Sequence, residues 1–338
     1  MRNHLLLLTF GALLAACGRH AALPEYDLSG AAMGTTFNIG IIAPGPELSL
    51  EELQANVVRK LDDIENIAST YREASELSRF NANPSTEWID VSHELCQMIA
   101  AALGVSAQTG GAFDITVGPL VNLWGFGPPP GDDQPPDDAE IAQALQYVGY
   151  EQLQTDCARP AMRKQAGQVY VDLSGWAKGY AVDQVAALLD DRGLQNYIVE
   201  IGGELRVKGH NAKQQKFAIA IEKPVNEADM QYAIVDVTNT SVATSGDYRN
   251  YFEYGGRRYS HTIDPLTGRP VTHDLAVVTV ISDSAAYADA MATALLVLGP
   301  DAGPELAAEL DLAANFLVRS NGELAVRRSA AFERTVMQ

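Results

Sequence analysis

The amino-acid sequence predicts an α+β fold, with largely antiparallel or mixed β-sheets and helices packed against them. Three observations lead there. Strand-like segments follow one another directly more often than they alternate with helices, which disfavours a doubly wound parallel sheet. Gly255-Gly256, flanked by strand-like residues 251–254 and 257–261, signals a hairpin, and Asn321-Gly322 signals another. Several longer segments instead repeat apolar residues at helical spacing.

Taken in order, Ser49 with Glu52 has the spacing of a capping box. Leu53, Val57, Leu61 and Ile64 then predict a helix to about residue 69. Ser92 opens a second helix with Leu95, Ile99, Ala102 and Leu103 on its apolar face, closed by Gly110-Gly111. Residues 124–138 hold five Pro and three Gly and predict an exposed loop, a lid or an insertion. A short helix is expected over 139–147, a strand over 169–172, and a helix over 177–192 stopped by Gly193. Residues 197–201, 205–208, 217–222 and 232–238 predict strands. The β-branched run 275–282 predicts another, after which Ser284 caps a helix to about residue 298.

The N-terminus reads as an address. One basic residue, Arg2, precedes the apolar residues 5–16, and small residues lead into Cys17, the layout of a secretory signal. The run is roughly a dozen residues, against about 20 for a membrane-spanning helix. Leu14-Ala15-Ala16-Cys17 resembles the lipobox of bacterial lipoproteins. The resemblance implies a signal peptide over 1–16, a lipid on Cys17, a tether over 17–27 and one folded domain over 28–330. It also implies a protein anchored by lipid to a membrane and facing the periplasm. Gly18 is not the Asp associated with inner-membrane retention, so either membrane fits.

The formal charge of −19 makes general polyanion binding unfavourable and argues against nucleic acid as a partner. A phosphate-rich ligand would need local neutralisation, most simply by a metal. Cys96 and Cys157 are the thiols beyond Cys17. Export permits a disulfide between them, but Cys96 lies in an apolar helical pattern that equally suits a buried free thiol.

Four segments carry candidate chemistry. His261-Thr262-Ile263-Asp264-Pro265-Leu266-Thr267-Gly268 ends in a turn that would present His261, a candidate general base. Asp172-Leu173-Ser174-Gly175-Trp176-Ala177-Lys178-Gly179 leads into a helix N-terminus, where free N–H groups suit phosphate, though its glycine spacing is not that of a Walker loop. Asp289 and Thr293 are four apart on one helix, so their oxygens share a face and suit Mg²⁺. Gly110 to Ile115 has glycines that let a ligand approach the backbone. Each alone also has an ordinary structural explanation as a turn, cap or solvated face.

Together these segments resemble the FAD:protein FMN transferases, the ApbE family. Further matches are Ala32-Met33-Gly34-Thr35-Thr36, Ser69-Thr70-Tyr71-Arg72, Leu77-Ser78-Arg79-Phe80-Asn81, Gly202-Gly203-Glu204 and Thr244-Ser245-Gly246, in the family's order from about residue 30 to 300. The resemblance implies an ApbE-like (T-fold-like) architecture and a Mg²⁺-dependent enzyme. Such an enzyme splits FAD, releases AMP and joins FMN to a Thr or Ser hydroxyl of a target protein. It implies Gly175 (by its carbonyl), Asp289 and Thr293 as metal ligands and His261 as the base. It implies an FAD site built from Met33, Tyr71, Ala112, Phe113, Asp114, Asp172, Lys178 and Ile263, with Lys178 facing a phosphate. Ser245-Gly246 would help close the pocket, and Asp264 would orient the turn or the metal site. Trp176 stands where the family has a smaller aliphatic residue. The implied partners are flavin-acceptor domains of exported or membrane redox subunits, such as those of sodium-pumping NADH:quinone reductases or Rnf-like complexes. The alternatives are an FAD pyrophosphatase giving FMN and AMP, or a flavin-binding lipoprotein without catalysis.

Overall fold

A computed structural model describes residues 23–337, apart from 44–48, 129–130, 132, 223–230, 249 and 321–322. Cys17 and the signal sequence lie outside the described residues. The frame is an eight-stranded sheet whose strands follow one another in chain order: Glu25–Ala32, Thr35–Ile42, Tyr197–Ile201, Glu204–Lys208, Thr240–Gly246, Leu275–Ser282, Ala313–Ser320 and Glu323–Arg328. Every neighbouring pair is antiparallel. The α+β expectation is met.

Residues 275–282 are almost continuously apolar because both faces of that strand are covered. On one face lie three helices: α1 (Leu50–Ala68), α6 (Ala177–Asp190) and α7 (Ala285–Glu309). Helix α1 presents Leu53, Val57, Leu61 and Ile64 to the core, as their spacing requires, and the Ser49 hydroxyl accepts the Glu52 N–H at its start. On the other face, Leu205, Val207, Val242 and Ile281 pack against a separate hairpin, Phe217–Glu222 with Gln231–Val237, and against Phe332 of α8 (Ala330–Val336). Helix α3 (His93–Gln108) lies behind α7, and its apolar face joins the same core.

A disulfide joins Cys96 of α3 to Cys157, with the Cα atoms 5.6 Å apart. It settles the choice that the sequence left open. The bond ties α3 to a small three-stranded sheet formed by Ile89–Asp90, Leu153–Asp156 and Ala161–Lys164.

Three expectations need correction. Residues 169–172 join no sheet. The Asn81 side chain takes the backbone hydrogen bonds of Val171: Asn81 Nδ2 donates to Val171 O, and Val171 N–H donates to Asn81 Oδ1, both at 2.8 Å. Asp172 N–H then donates to Ile115 O at 2.7 Å. The Pro-rich stretch is not exposed throughout. Trp124 is buried among Leu120 of α4 (Gly118–Leu123), Ile141 of α5 (Asp138–Leu145), Phe252 and Ile263, and its Nε1–H donates to Gly268 O at 2.8 Å. The first strand starts at Glu25, inside the segment expected to be tether. The sequence reading also passed over the hairpin spanning residues 25–42, the strand Thr240–Gly246 and the short helix α2 (Glu76–Ala82).

Candidate active site

A cavity of about 330 Å³ opens where α6, α7, the end of α3 and the 251–263 hairpin region converge. Of the residues singled out by sequence, Tyr71, Ala112, Phe113, Asp114, Asp172, Gly175, Lys178, His261, Ile263, Asp289 and Thr293 all line it, and so do Ser245 and Gly246. Met33 does not. It occupies the turn between the first two strands at φ +54°, with its N–H donating to Glu65 Oε1 at 2.7 Å. Asp264 does not line it either. Its carboxylate is tied into its own turn by Leu266 N–H and the Thr267 hydroxyl, both at 2.9 Å.

Local structure explains each placement. Gly110 and Gly111, at φ +59° and +85°, turn the chain out of α3. The turn delivers Ala112, Phe113 and Asp114 to the cavity wall. Asp114 is buried, and its oxygens already accept hydrogen bonds from Thr116 N–H, the Thr116 hydroxyl and Tyr150 N–H at 2.6–2.7 Å. Burial raises its pKa while those bonds oppose the rise. Tyr71 follows α1. It is largely exposed, and its hydroxyl donates to Phe126 O at 3.2 Å. Asp172 Oδ1 accepts the Ser174 N–H at 2.7 Å, shaping the turn into α6.

His261 follows the hairpin strand Arg257–Ser260, and its ring meets that of Phe126 in a T-shaped arrangement. Its Nδ1 lies 3.0 Å from the Asn250 carbonyl oxygen. A carbonyl only accepts, so Nδ1 carries the proton and Nε2 keeps a free lone pair. Burial lowers the imidazole below its ordinary value, which keeps that lone pair available at neutral pH.

Asp289 and Thr293 face the cavity from α7. The Ser245 hydroxyl lies 3.2 Å from that of Thr293, and Gly179 N–H donates to Asp289 Oδ2 at 3.2 Å. Gly175 sits so close that a Cβ there would lie 3.3 Å from Thr293 Oγ1. Carboxylate, hydroxyl and carbonyl oxygens form a hard donor set of the kind Mg²⁺ takes, with water completing its shell. Among the described residues no cluster of three or more His, Cys, Asp or Glu could hold a metal, so such a shell would be incomplete without water. The charge balance fits a cation as well. Among the described residues, Asp114, Asp172, Glu204 and Asp289 line the cavity with Lys178 as the one Lys or Arg.

Lys178 is where the expectation shifts. Its Nζ is 3.3 Å from Glu204 Oε1 and 3.7 Å from Asp289 Oδ2. Burial alone would lower Lys178, but the two carboxylates hold it above its ordinary value. Its charge is committed to protein groups rather than held free for a phosphate.

Sequence reasoning gave no role to Asn81, Lys164, Asn250 or Glu204. The first two lie behind the wall. Lys164, almost wholly buried, donates to the carbonyls of Phe80, Asn81 and Gly167 at 3.0–3.4 Å, and burial brings its pKa down to about 8. It fixes the end of α2, and Asn81 fixes Val171 beside Asp172. The motif Leu77 to Asn81 was the signal, but nothing in it named the partners.

A family model, the ApbE family, matches residues 33–316. This chain belongs to the ApbE family. It is 41% identical over 333 residues to the FAD:protein FMN transferase of Vibrio cholerae, covering 98% of each chain. It is 40% identical over 330 residues to that of Haemophilus influenzae, covering 95% of this chain and 94% of that one. Among solved structures, the flavin transferase ApbE from Vibrio cholerae matches with a TM-score of 0.86 at 39% identity, over 93% of this chain and 99% of that one. The apo Pseudomonas stutzeri flavinyl transferase ApbE matches with 0.86 at 38% identity, over 94% and 98%. The ApbE match runs through every element that lines the cavity, so the α+β frame and the site are features of one fold.

Proposed function

We propose that this chain is a Mg²⁺-dependent FAD:protein FMN transferase. The observation that carries the reading is the convergence of His261, Asp289, Thr293 and Gly175 on one cavity with the flavin-site candidates. The similarity to FAD:protein FMN transferases supports it.

In this reading FAD lies along the wall formed by Tyr71, Ala112, Phe113, Asp172 and Ile263, with its pyrophosphate toward α7. A Mg²⁺ held by Asp289, Thr293 and the Gly175 carbonyl would neutralise the pyrophosphate and stabilise charge developing on the transferring phosphoryl group. His261 Nε2 accepts the proton of the acceptor Ser or Thr hydroxyl as that oxygen bonds to the FMN phosphorus. The bond from phosphorus to the bridging oxygen breaks and AMP leaves. The Asn250 carbonyl holds Nδ1–H throughout, so the imidazolium keeps its orientation. Phe126 and Val121 cover the site with apolar surface and help to exclude water.

The acceptor is read as a domain of an exported or membrane redox subunit of the sodium-pumping NADH:quinone reductase or Rnf-like kind. Cys17 is read as the lipidated residue of a protein facing the periplasm. The Cys96–Cys157 disulfide supports an oxidising compartment. Among the described residues no helix is long and apolar enough to cross a membrane.

The test for the metal is direct. With FAD and an acceptor domain present, chelation by EDTA should stop FMN transfer, and Mg²⁺ should restore it. Asp289→Ala should lose both transfer and Mg²⁺-dependent thermal stabilisation. Undiminished transfer in that variant would refute the assignment.

A further inference from the structure

Glu204 belongs to a motif, Gly202-Gly203-Glu204, that the reaction as described does not use. The turn is built to bring it to Lys178. Gly202 is at φ +62°, and a Cβ there would lie 3.2 Å from Lys178 Cδ and 2.9 Å from Thr35 Cγ2, so only glycine lets the turn approach this closely. Gly203 N–H donates to Glu200 Oε1 at 2.7 Å and fixes the turn from the other side. Glu204 then enters the cavity wall with 4% of its surface exposed. One oxygen meets Lys178, while the other, Oε2, is buried with no hydrogen-bond partner among the described residues. A buried carboxylate left half-unsatisfied is costly in a fold that offers alternatives, so such a group calls for a reason.

Lys178 supplies that reason. Its ammonium is shared between Glu204 and Asp289 and is nearer to Glu204. Were Glu204 absent, Lys178 would have Asp289 as its one carboxylate partner among the described residues. The same carboxylate would then have to serve a half-buried monocation and a dication, and the two cations would repel at close range. With Glu204 ionised the cluster carries two negative charges and one positive, and it gains net charge compensation when a dication arrives at Asp289; burial raises both carboxyls, and the Lys178 ammonium between them opposes that rise.

We propose that Glu204 is a positioning residue of the divalent-cation site, a counter-charge that draws Lys178 away from Asp289 so that this carboxylate can bind the metal. The inference rests on the reading of Asp289 as a metal ligand. Glu204 acts through Lys178 and touches neither the metal nor the transferring phosphate.

The test is a titration of the purified full chain with Mn²⁺, following the loss of the free-ion EPR signal without FAD or acceptor. Glu204→Gln keeps the shape and removes the charge. It should weaken Mn²⁺ binding by roughly 10–100-fold, the range for groups that support a metal ligand from behind. Lys178→Met combined with Glu204→Gln removes the cation that Glu204 offsets, so it should return binding toward the wild-type level. Recovery in the double variant is the signature of charge balancing. No recovery would mean that Glu204 ligates the metal itself or merely shapes the wall, and the proposal would fall. Wild-type binding by Glu204→Gln alone would also overturn it. If that single variant does not fold, the double variant, which carries neither buried charge, still decides by the same criterion. Asp289→Ala separates the two readings. If it binds Mn²⁺ like the wild type, the metal assignment itself fails; if it loses binding while Glu204→Gln does not, only the role of Glu204 fails.

Discussion

At the scale of single residues, function rests on side chains whose hydrogen bonds fix their state. His261 is held by one carbonyl in the tautomer that a base needs. His261→Ala should therefore retain FAD binding, measured by flavin fluorescence quenching, and lose FMN transfer. The pH dependence follows from the sign of the shift. Burial lowers the imidazole pKa below 6.5, so the proton-accepting form persists into mildly acidic solution. Single-turnover transfer should fall only as pH drops through a value below 6.5, and an acidic limb centred above it would contradict the role given to His261. Asn81 is the other informative residue. It mimics a neighbouring strand, satisfying both backbone groups of Val171. Asn81→Leu strands both in a buried place, at about 1–3 kcal/mol each. Urea unfolding should show that loss, and the FAD KM should rise because Asp172 is the next residue. Loss of stability with an unchanged KM would remove Asn81 from the positioning of the site.

At the scale of elements, the long periodic helices and the glycine hairpins were legible because their signals are local. Ser49, Ser92 and Ser284 each mark a helix start that the structure bears out. The Val169–Asp172 region failed for a physical reason. Residues 169–172 have strand composition, but strand pairing depends on what lies alongside, and here a side chain from residue 81 takes that place. The contacts among Lys178, Glu204 and Asp289 join three distant segments, so no spacing rule reveals them. The cysteine pair closes a loop with a sequence separation of 61; sequence named the two thiols as possible partners but could not show them close. Loops of that size make a disulfide worth about 2–4 kcal/mol. Reduction should lower the melting temperature measurably, and an unchanged melting curve would show that the bond carries no stability. Helix α7 is interrupted at Gly299, at φ +81° and ψ −170°, where a Cβ would come within 2.8 Å of the His273 ring. Gly299→Ala should cost about 1–3 kcal/mol.

At the scale of the molecule, a chain of net charge −19 handles a substrate that is itself an anion. The described residues that line the cavity do not reverse that balance, since among them one lysine faces four carboxylates and is held by two. In the proposed reaction a divalent cation, rather than basic residues, would offset that charge. A lipid on Cys17, as proposed, would hold the enzyme where membrane-bound acceptors lie and raise their effective concentration. Cys17→Ser should release the protein from membranes, as fractionation would show, and leave transfer to a soluble acceptor intact. FMN transfer to protein is tested most directly by incubating the folded chain with FAD, Mg²⁺ and a purified flavin-acceptor domain and then measuring the acceptor's intact mass. A transferase gives a gain equal to one FMN phosphoester, accompanied by AMP and absent with His261→Ala. Free FMN and AMP with an unmodified acceptor would contradict transfer and identify a pyrophosphatase instead.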